Sequence, residues 1–260
     1  MASFSDQLDR IVELGDQPPK RIVSLVPSQT ELLADLGLKD RVVGVTKFCV
    51  HPKSWRKEKT IIGGTKSLRM ETIRQLQPDL IIANQEENDR DQVLALAEEF
   101  PVWVSKVVDL DSALSMILAI GKMTETMPEA EQLVVDTKRG FRQLSQATLR
   151  SCLYLIWRNP YMAAGGDTFI NHMLRCSGFL NVLASENRYP ELTDDQILSL
   201  NPEVILLSSE PFPFKEKHTQ ELSILCPNAD VRLVDGEMFS WYGSRLLLAA
   251  SYFRNLRSDL

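Results

Sequence analysis

The side chains best placed for chemistry are a few acids and a run of aromatics. Glu86 and Glu87 close one apolar run, and Glu210 holds the place of Glu86 at an offset of 124 (210 less 86). Carboxylates at strand ends can receive a cationic group or metal, or start a helix, where acids oppose the macrodipole. Phe239, Trp241 and Tyr242 form a dense aromatic patch, and Gly243, Ser244 and Arg245 follow. Flat side chains in a loop can stack on a planar ligand. Arg245 offers a two-pronged donor to a carboxylate or phosphate. The patch is read as ligand-facing, with core packing as the alternative. Phe212-Pro213-Phe214 reads as an exposed apolar loop turned toward a ligand. Cys49 and His51 are two apart and point the same way in extended chain, where either could meet a cobalt or iron centre. With no further ligand clustered nearby they define no metal site, and Cys49 reads as structural. His172 reads as structural and His218 as exposed in a polar stretch. The sequence contains no G-x-S-x-G elbow, P-loop or H-E-x-x-H motif. The indicated chemistry is binding, without turnover or a required cofactor.

The elements that must position these groups repeat. Leu68 to Ile81 reads as an acidic helix, a proline turn and a buried strand, and Leu192 to Ile205 reads the same way. The offset is again 124, from Glu71 to Asp195 and from Pro78 to Pro202. Strands are expected over Arg21–Val26, Arg41–Val45, Leu80–Ala83 and Val102–Val104, with helices between them. Strands over Cys152–Trp157, Val204–Leu207 and Val231–Val234 follow in the second half. Alternating strand and helix is the pattern of a parallel α/β sheet covered on both faces. Ser28 with Glu31, and Thr126 with Glu129, read as capping boxes. From Thr126 to about Ala147, apolar residues recur at helical spacing (Ala130, Leu133, Val134, Thr137, Phe141, Leu144). The predicted organisation is an arm over 1–20, lobe one over 21–124, a connecting helix over 125–148 and lobe two over 149–260. Two similar lobes joined once imply a cleft, and clefts bind ligands.

The bulk numbers bound the class. The 260 residues are 44% hydrophobic and 25% charged, ordinary for a globular chain. A net charge of −6 without a basic stripe argues against a nucleic-acid partner. The four cysteines lie far apart and read as free thiols in a reducing compartment. No stretch approaches the roughly 20 apolar residues of a membrane span. Met1 to Asp6 lacks the basic and apolar runs of a signal peptide. The expectation is a cytoplasmic monomer without membrane insertion, or a periplasmic or cell-surface protein if a leader has been removed.

Arg21-Ile22-Val23-Ser24-Leu25-Val26-Pro27-Ser28-Gln29-Thr30-Glu31, then Arg41-Val42-Val43-Gly44-Val45-Thr46, then Gln77-Pro78-Asp79-Leu80-Ile81 carry a resemblance. In this order, and over about residues 20–255, the chain resembles the class III, helical-backbone metal receptors, the vitamin B12-binding and iron-siderophore-binding proteins of ABC importers. The resemblance implies two Rossmann-like α/β lobes with mainly parallel sheets, joined by one long helix, and a corrinoid or related metal chelate held in the cleft. The loops at the carboxyl ends of the strands would face it: Pro27 and Ser28, Phe48 to His51, Thr65, and Asn84 with Glu86 in lobe one. Lobe two would offer Tyr161, Tyr189, Glu210, Phe212 and Phe214, then Trp241, Tyr242 and Arg245. Phe48 and Tyr189 match aromatic positions that cover the corrin, and Arg245 matches a polar contact. Thr65 and Asn84 stand where the B12 binder has tryptophans, a departure from cobalamin itself. Glu71 and Asp195 match the acids that dock an ABC permease. Iron-siderophore or haem binding, with Tyr161, Tyr242 or His51 as iron ligand, is an alternative. A cytosolic enzyme or cofactor-handling protein on this fold is another.

Overall fold

The computed structural model describes residues 2–144 and 149–258, which form two compact units. The first unit takes the chain up to Val107, Asp111–Asp136 and Tyr242–Arg245. The second takes Val108–Leu110, Thr137–Trp241 and the chain from Leu246 on.

The chain opens with β1 (Ala2–Ser5), β2 (Ile11–Leu14), β3 (Ile22–Ser24), α1 (Pro27–Asp35) and β4 (Val42–Val45). Next come α2 (Trp55–Glu58), β5 (Thr60–Ile61) and a small ladder of β6 (Gly63–Gly64) with β7 (Ser67–Leu68). Then follow α3 (Met70–Leu76), β8 (Leu80–Asn84), α4 (Arg90–Ala97), β9 (Val102–Ser105), α5 (Leu110–Thr124) and α6 (Met127–Arg142). The first unit's main sheet has the order β5-β4-β3-β8-β9, and every pairing is parallel. Every residue of β3, β8 and β9 is buried, as a parallel sheet covered on both faces requires.

The second unit contains β10 (Arg150–Trp157), β11 (Tyr161–Ala163), α7 (Phe169–Cys176), β12 (Phe179–Asn181), β13 (Glu191–Leu192) and α8 (Asp194–Leu200). It ends with β14 (Val204–Ser208), α9 (Glu216–Leu225), β15 (Asp230–Val234), α10 (Glu237–Ser240) and α11 (Leu246–Ser258). Strands β12, β10, β14 and β15 pair in parallel, while β11 and β13 add an antiparallel edge. The fold class is the predicted mixed α/β with parallel sheets.

The repeat survives in the backbone. Helix α3 stops at Gln77 (φ 43°, ψ 61°) and α8 at Asn201 (φ 44°, ψ 53°), both left-handed caps. A proline follows each, and the residue before proline is barred from the right-handed helix. A left-handed residue then ends the helix cleanly. The next acid pins the neighbouring strand. The Asp79 carboxylate accepts the N–H groups of Lys20 and Arg21 at 2.8 Å each, just before β3. Glu203 accepts the Ser151 N–H at 2.6 Å and its hydroxyl at 2.9 Å, at the start of β10. These contacts fix the registers Ile22 to Leu80 and Cys152 to Val204.

Two expectations change. Residues 1–20 are not a free arm: β1 and β2 form a hairpin that belongs to the first unit. Its turn acid, Asp6, is buried and accepts the N–H groups of Leu8 and Arg10, while Gln7 N–H donates to the carbonyl of Val104 in β9. Four-residue strands, of which β1 buries no residue and β2 only Val12 and Leu14, carry little periodic signal. The predicted connector is α6, which ends at Arg142, and residues 145–148 of that prediction lie outside the described residues. Its 16 residues span about 24 Å at 1.5 Å each. Of the six positions named from the spacing, Ala130, Val134, Thr137 and Phe141 are buried, while Leu133 and Leu144 are partly exposed. Among the described residues no helix is long and apolar enough to cross a membrane.

Glutamine gains nothing from a positive φ, whereas glycine adopts it freely. Replacing Gln77 by Gly should therefore stabilise the protein by about 0.5–1 kcal/mol, and Asn201→Gly by less, because asparagine tolerates this region. Urea unfolding measures both, and destabilisation by Gln77→Gly would contradict the cap.

Candidate functional site

In the first unit the loops after β3, β4 and β8 carry the predicted residues. Phe48 leaves β4 with half its surface in solvent and Lys47 Nζ 5.0 Å from its ring. The ring lies on Gly64: a Cβ there would come within 3.1 Å of it, and the ring would have to give by a few tenths of an ångström. His51 and Thr65 are partly exposed nearby in the sequence. Pro27 and Ser28 are buried in the first turn of α1. The helix is capped by Val26 without a side-chain bond, so the Ser28–Glu31 capping box does not form.

Asn84 turns inward rather than toward a ligand. Its Nδ2 donates to Ser105 Oγ at 3.0 Å, and its Oδ1 accepts the N–H groups of Glu86 and Glu87. Asn88 Nδ2 donates to the Leu25 and Thr65 carbonyls, at 3.2 Å and 3.1 Å. The two asparagines build the loop that presents Glu86.

Residues 242–245 belong to this unit, and their polar atoms are engaged in it. Arg245 grips Glu31 with Nε at 2.9 Å and Nη2 at 2.6 Å, with both side chains largely buried. Burial raises the Glu31 pKa, against the lowering effect of Arg245 and, more weakly, His51. The Tyr242 hydroxyl donates to Glu87 Oε1 at 2.6 Å. Burial first, then the Glu87 charge, holds that phenol far above its ordinary pKa. Arg245 and Tyr242, expected to face a ligand, are instead buried and engaged with Glu31 and Glu87 in this structure. Cys49 is buried between the hydroxyls of Thr30 (3.0 Å) and Thr46 (3.2 Å).

In the second unit the aromatic patch is interior. Phe239 is fully buried, 5.1 Å from the Tyr154 ring and 4.9 Å from Phe253. Trp241 is buried too, and its Nε1 donates to Glu210 Oε1 at 2.9 Å, alongside Ser240 Oγ at 2.7 Å. An indole buries readily once its N–H finds such a partner. Burial raises the Glu210 pKa, against these two hydrogen bonds. Trp241 is a core residue. Phe214 is as well, within the cluster of Leu155, Leu207 and Leu222.

Phe212 stays partly exposed, edge-on to Trp157 at 5.7 Å. Trp157 ends β10 with 39% of its surface exposed, where the sequence predicts only the end of a strand. The available signal was its place at the carboxyl end of a central strand. Tyr161 is half-buried with the Arg158 guanidinium 6.0 Å from its ring, and Tyr189 is half-buried with Arg188 at 5.7 Å. His218 is buried, not exposed, because its ring packs on Phe212 and Phe214. Glu71 and Asp195 are exposed in the first turns of α3 and α8, with Arg74 3.8 Å from Glu71. Among the described residues, no three His, Cys, Asp or Glu side chains gather as a metal cluster.

Comparison with known proteins completes the description. The family described as periplasmic binding protein matches residues 22–223. An uncharacterized ABC transporter substrate-binding lipoprotein of Bacillus subtilis is 30% identical over 200 residues. That match covers 72% of this chain and 63% of the relative, so the chain spans less than two thirds of its length. A vitamin B12-binding protein of Yersinia pestis is 26% identical over 206 residues, covering 76% of this chain and 72% of that one. The fold is shared with the periplasmic vitamin B12-binding protein of Vibrio cholerae (TM-score 0.75, 23% identity, 92% and 98% covered). It is also shared with a periplasmic heme-binding protein solved with two hemes (TM-score 0.80, 21% identity, 92% and 98% covered).

The Arg245–Glu31 pair generates a stability test. Arg245→Met leaves a buried carboxylate unpaired and should cost about 3 kcal/mol, while Arg245→Met with Glu31→Leu should cost less than the single change. Denaturant unfolding of the three proteins checks this. Equal stability in all three would return Arg245 to the surface.

Proposed function

We propose a function from one premise: the chain belongs to the periplasmic binding protein family. It is the substrate-binding component of an ABC-type uptake system, it takes a corrinoid or related planar metal chelate, and it releases the ligand unchanged. One observation carries the ligand class. Each unit keeps a large aromatic ring in solvent where its parallel strands end, Phe48 after β4 and Trp157 at the end of β10. Leaving such rings wet forgoes about 25 cal/mol for each Å² that burial would remove from water. A flat ligand that stacks on such a ring recovers this. Phe212, Tyr161, Tyr189, His51, Thr65 and Glu86 are the partly exposed residues that complete the contact surfaces.

The names of the relatives, B12-binding and heme-binding, support a tetrapyrrole-like chelate. A haem or ferric-siderophore ligand is the second reading, favoured by the partly exposed Tyr161 and His51, either of which can ligate iron. Glu71 and Asp195 are the permease-docking acids in this account: exposed, equivalent in the repeat and free of any role in the core. The role calls for a location outside the cytoplasmic membrane, and cell fractionation separates this from the cytoplasmic expectation.

Calorimetry with cyanocobalamin and with haemin tests the site. Phe48→Ala and Trp157→Ala should each weaken the bound chelate by about tenfold, the worth of roughly 1.4 kcal/mol of stacking. Glu71→Arg and Asp195→Arg should leave that affinity alone and abolish permease-dependent uptake. Unaltered binding in both aromatic variants would remove the rings from the site.

A further inference from the structure

His218 sits where a proton would have mechanical consequences. It is the third residue of α9, and its Nδ1 accepts the Lys215 N–H at 2.8 Å. That bond closes the turn that starts the helix. The ring is 2% exposed and packs 5.5 Å from Phe212 and 5.4 Å from Phe214. Phe212 in turn lies against Trp157. One imidazole thus holds together the start of α9 and the aromatic loop that precedes it.

The bond requires an unprotonated Nδ1, since imidazolium has no acceptor. The charged groups acting on the ring come from two elements. Lys215, Lys217 and Glu221 lie on or beside α9, and Arg158 comes from the loop after β10, where it pairs with Glu221 at 2.6 Å. Glu216, in the first turn, bonds Thr219. The helix N-terminus adds a further positive potential. We propose that His218 is a proton-operated latch: when it is protonated the Lys215–His218 turn opens, and the Phe212–Phe214 loop loses its seat beside Trp157. Burial first, then Lys217 and Arg158, hold the imidazole below its ordinary pKa. The folded chain therefore binds fewer protons at this site than the unfolded chain. The latch contributes fully above the ordinary histidine pKa of about 6.5 and is lost as pH falls through the lower folded value. Because Phe212 and Trp157 belong to the proposed ligand surface, acid would weaken binding. That consequence rests on the binding function proposed above, while the latch itself does not.

Trp157 is the reporter, since the other tryptophans (Trp55, Trp103 and Trp241) are buried. Emission is followed from pH 7.5 to 4.5 in the wild type, in Trp157→Phe and in His218→Gln. Glutamine at this helix position can still bond the preceding backbone N–H but does not titrate. The expected result is a reversible step below pH 6.5 in the emission that Trp157 contributes, missing in both variants once the change they share from Trp241 beside Glu210 is subtracted. A step that persists in His218→Gln, or no step in the wild type, overturns the latch. Should His218→Gln fail to fold, amide exchange of Lys215 in the wild type decides: protection lost with acid supports the latch, and unchanged protection refutes it. With cyanocobalamin as probe, affinity should fall by up to about tenfold per pH unit below the step, as one-proton linkage allows. Cyanocobalamin that binds at no pH counts against the ligand assignment and leaves the emission result to judge the latch.

Discussion

The turn that joins helix to strand is the constraint on which the rest of this protein depends. A left-handed residue ends the helix, proline forbids its continuation, and an acid reaches sideways to seize the start of the adjacent strand. Asp79 and Glu203 do this in the two units, each fixing the register of a central parallel pair. A one-residue register slip would move every side chain of a strand to the opposite face of the sheet, into packing made for another residue. With the register set, β8 and β14 end 124 residues apart, at Asn84 and Ser208, and the loops after them inherit equivalent positions.

Those loops show how buried polarity is used. Asn84 and Asn88 satisfy the backbone after β8, and Tyr154, Ser208 and Glu210 form a hydrogen-bonded chain after β14. Glu210 then anchors Trp241, and Glu31 anchors Arg245. Removing one member of such a pair leaves a desolvated group without a partner, which costs more than the bond itself contributes. The polar residues of these loops are thus engaged with one another, while the Phe48 and Trp157 rings keep part of their surface in solvent.

This division explains what the sequence could disclose. The repeat, the proline turns and the continuous apolar strands follow local rules, so the α/β class and most central strands were legible from spacing alone. Whether a loop aromatic faces in or out is decided by partners distant in sequence. Trp241 is interior because Glu210 waits for its N–H, and His218 because Phe212 and Phe214 enclose it. Neither relation leaves a periodic trace. Trp157 went unnoticed for the converse reason: it ends an apolar strand, and only the packing around it shows that its ring remains in water. The first hairpin leaves little trace because its strands have four residues each and only β2 turns two side chains inward.

Absorbance titration of the purified protein with cyanocobalamin, haemin and a ferric hydroxamate tests the central claim most directly. The account predicts that one of these planar or metal-bearing chelates saturates at one ligand per chain and is recovered chemically unchanged. Saturation by none of them, or recovery of an altered ligand, would contradict it.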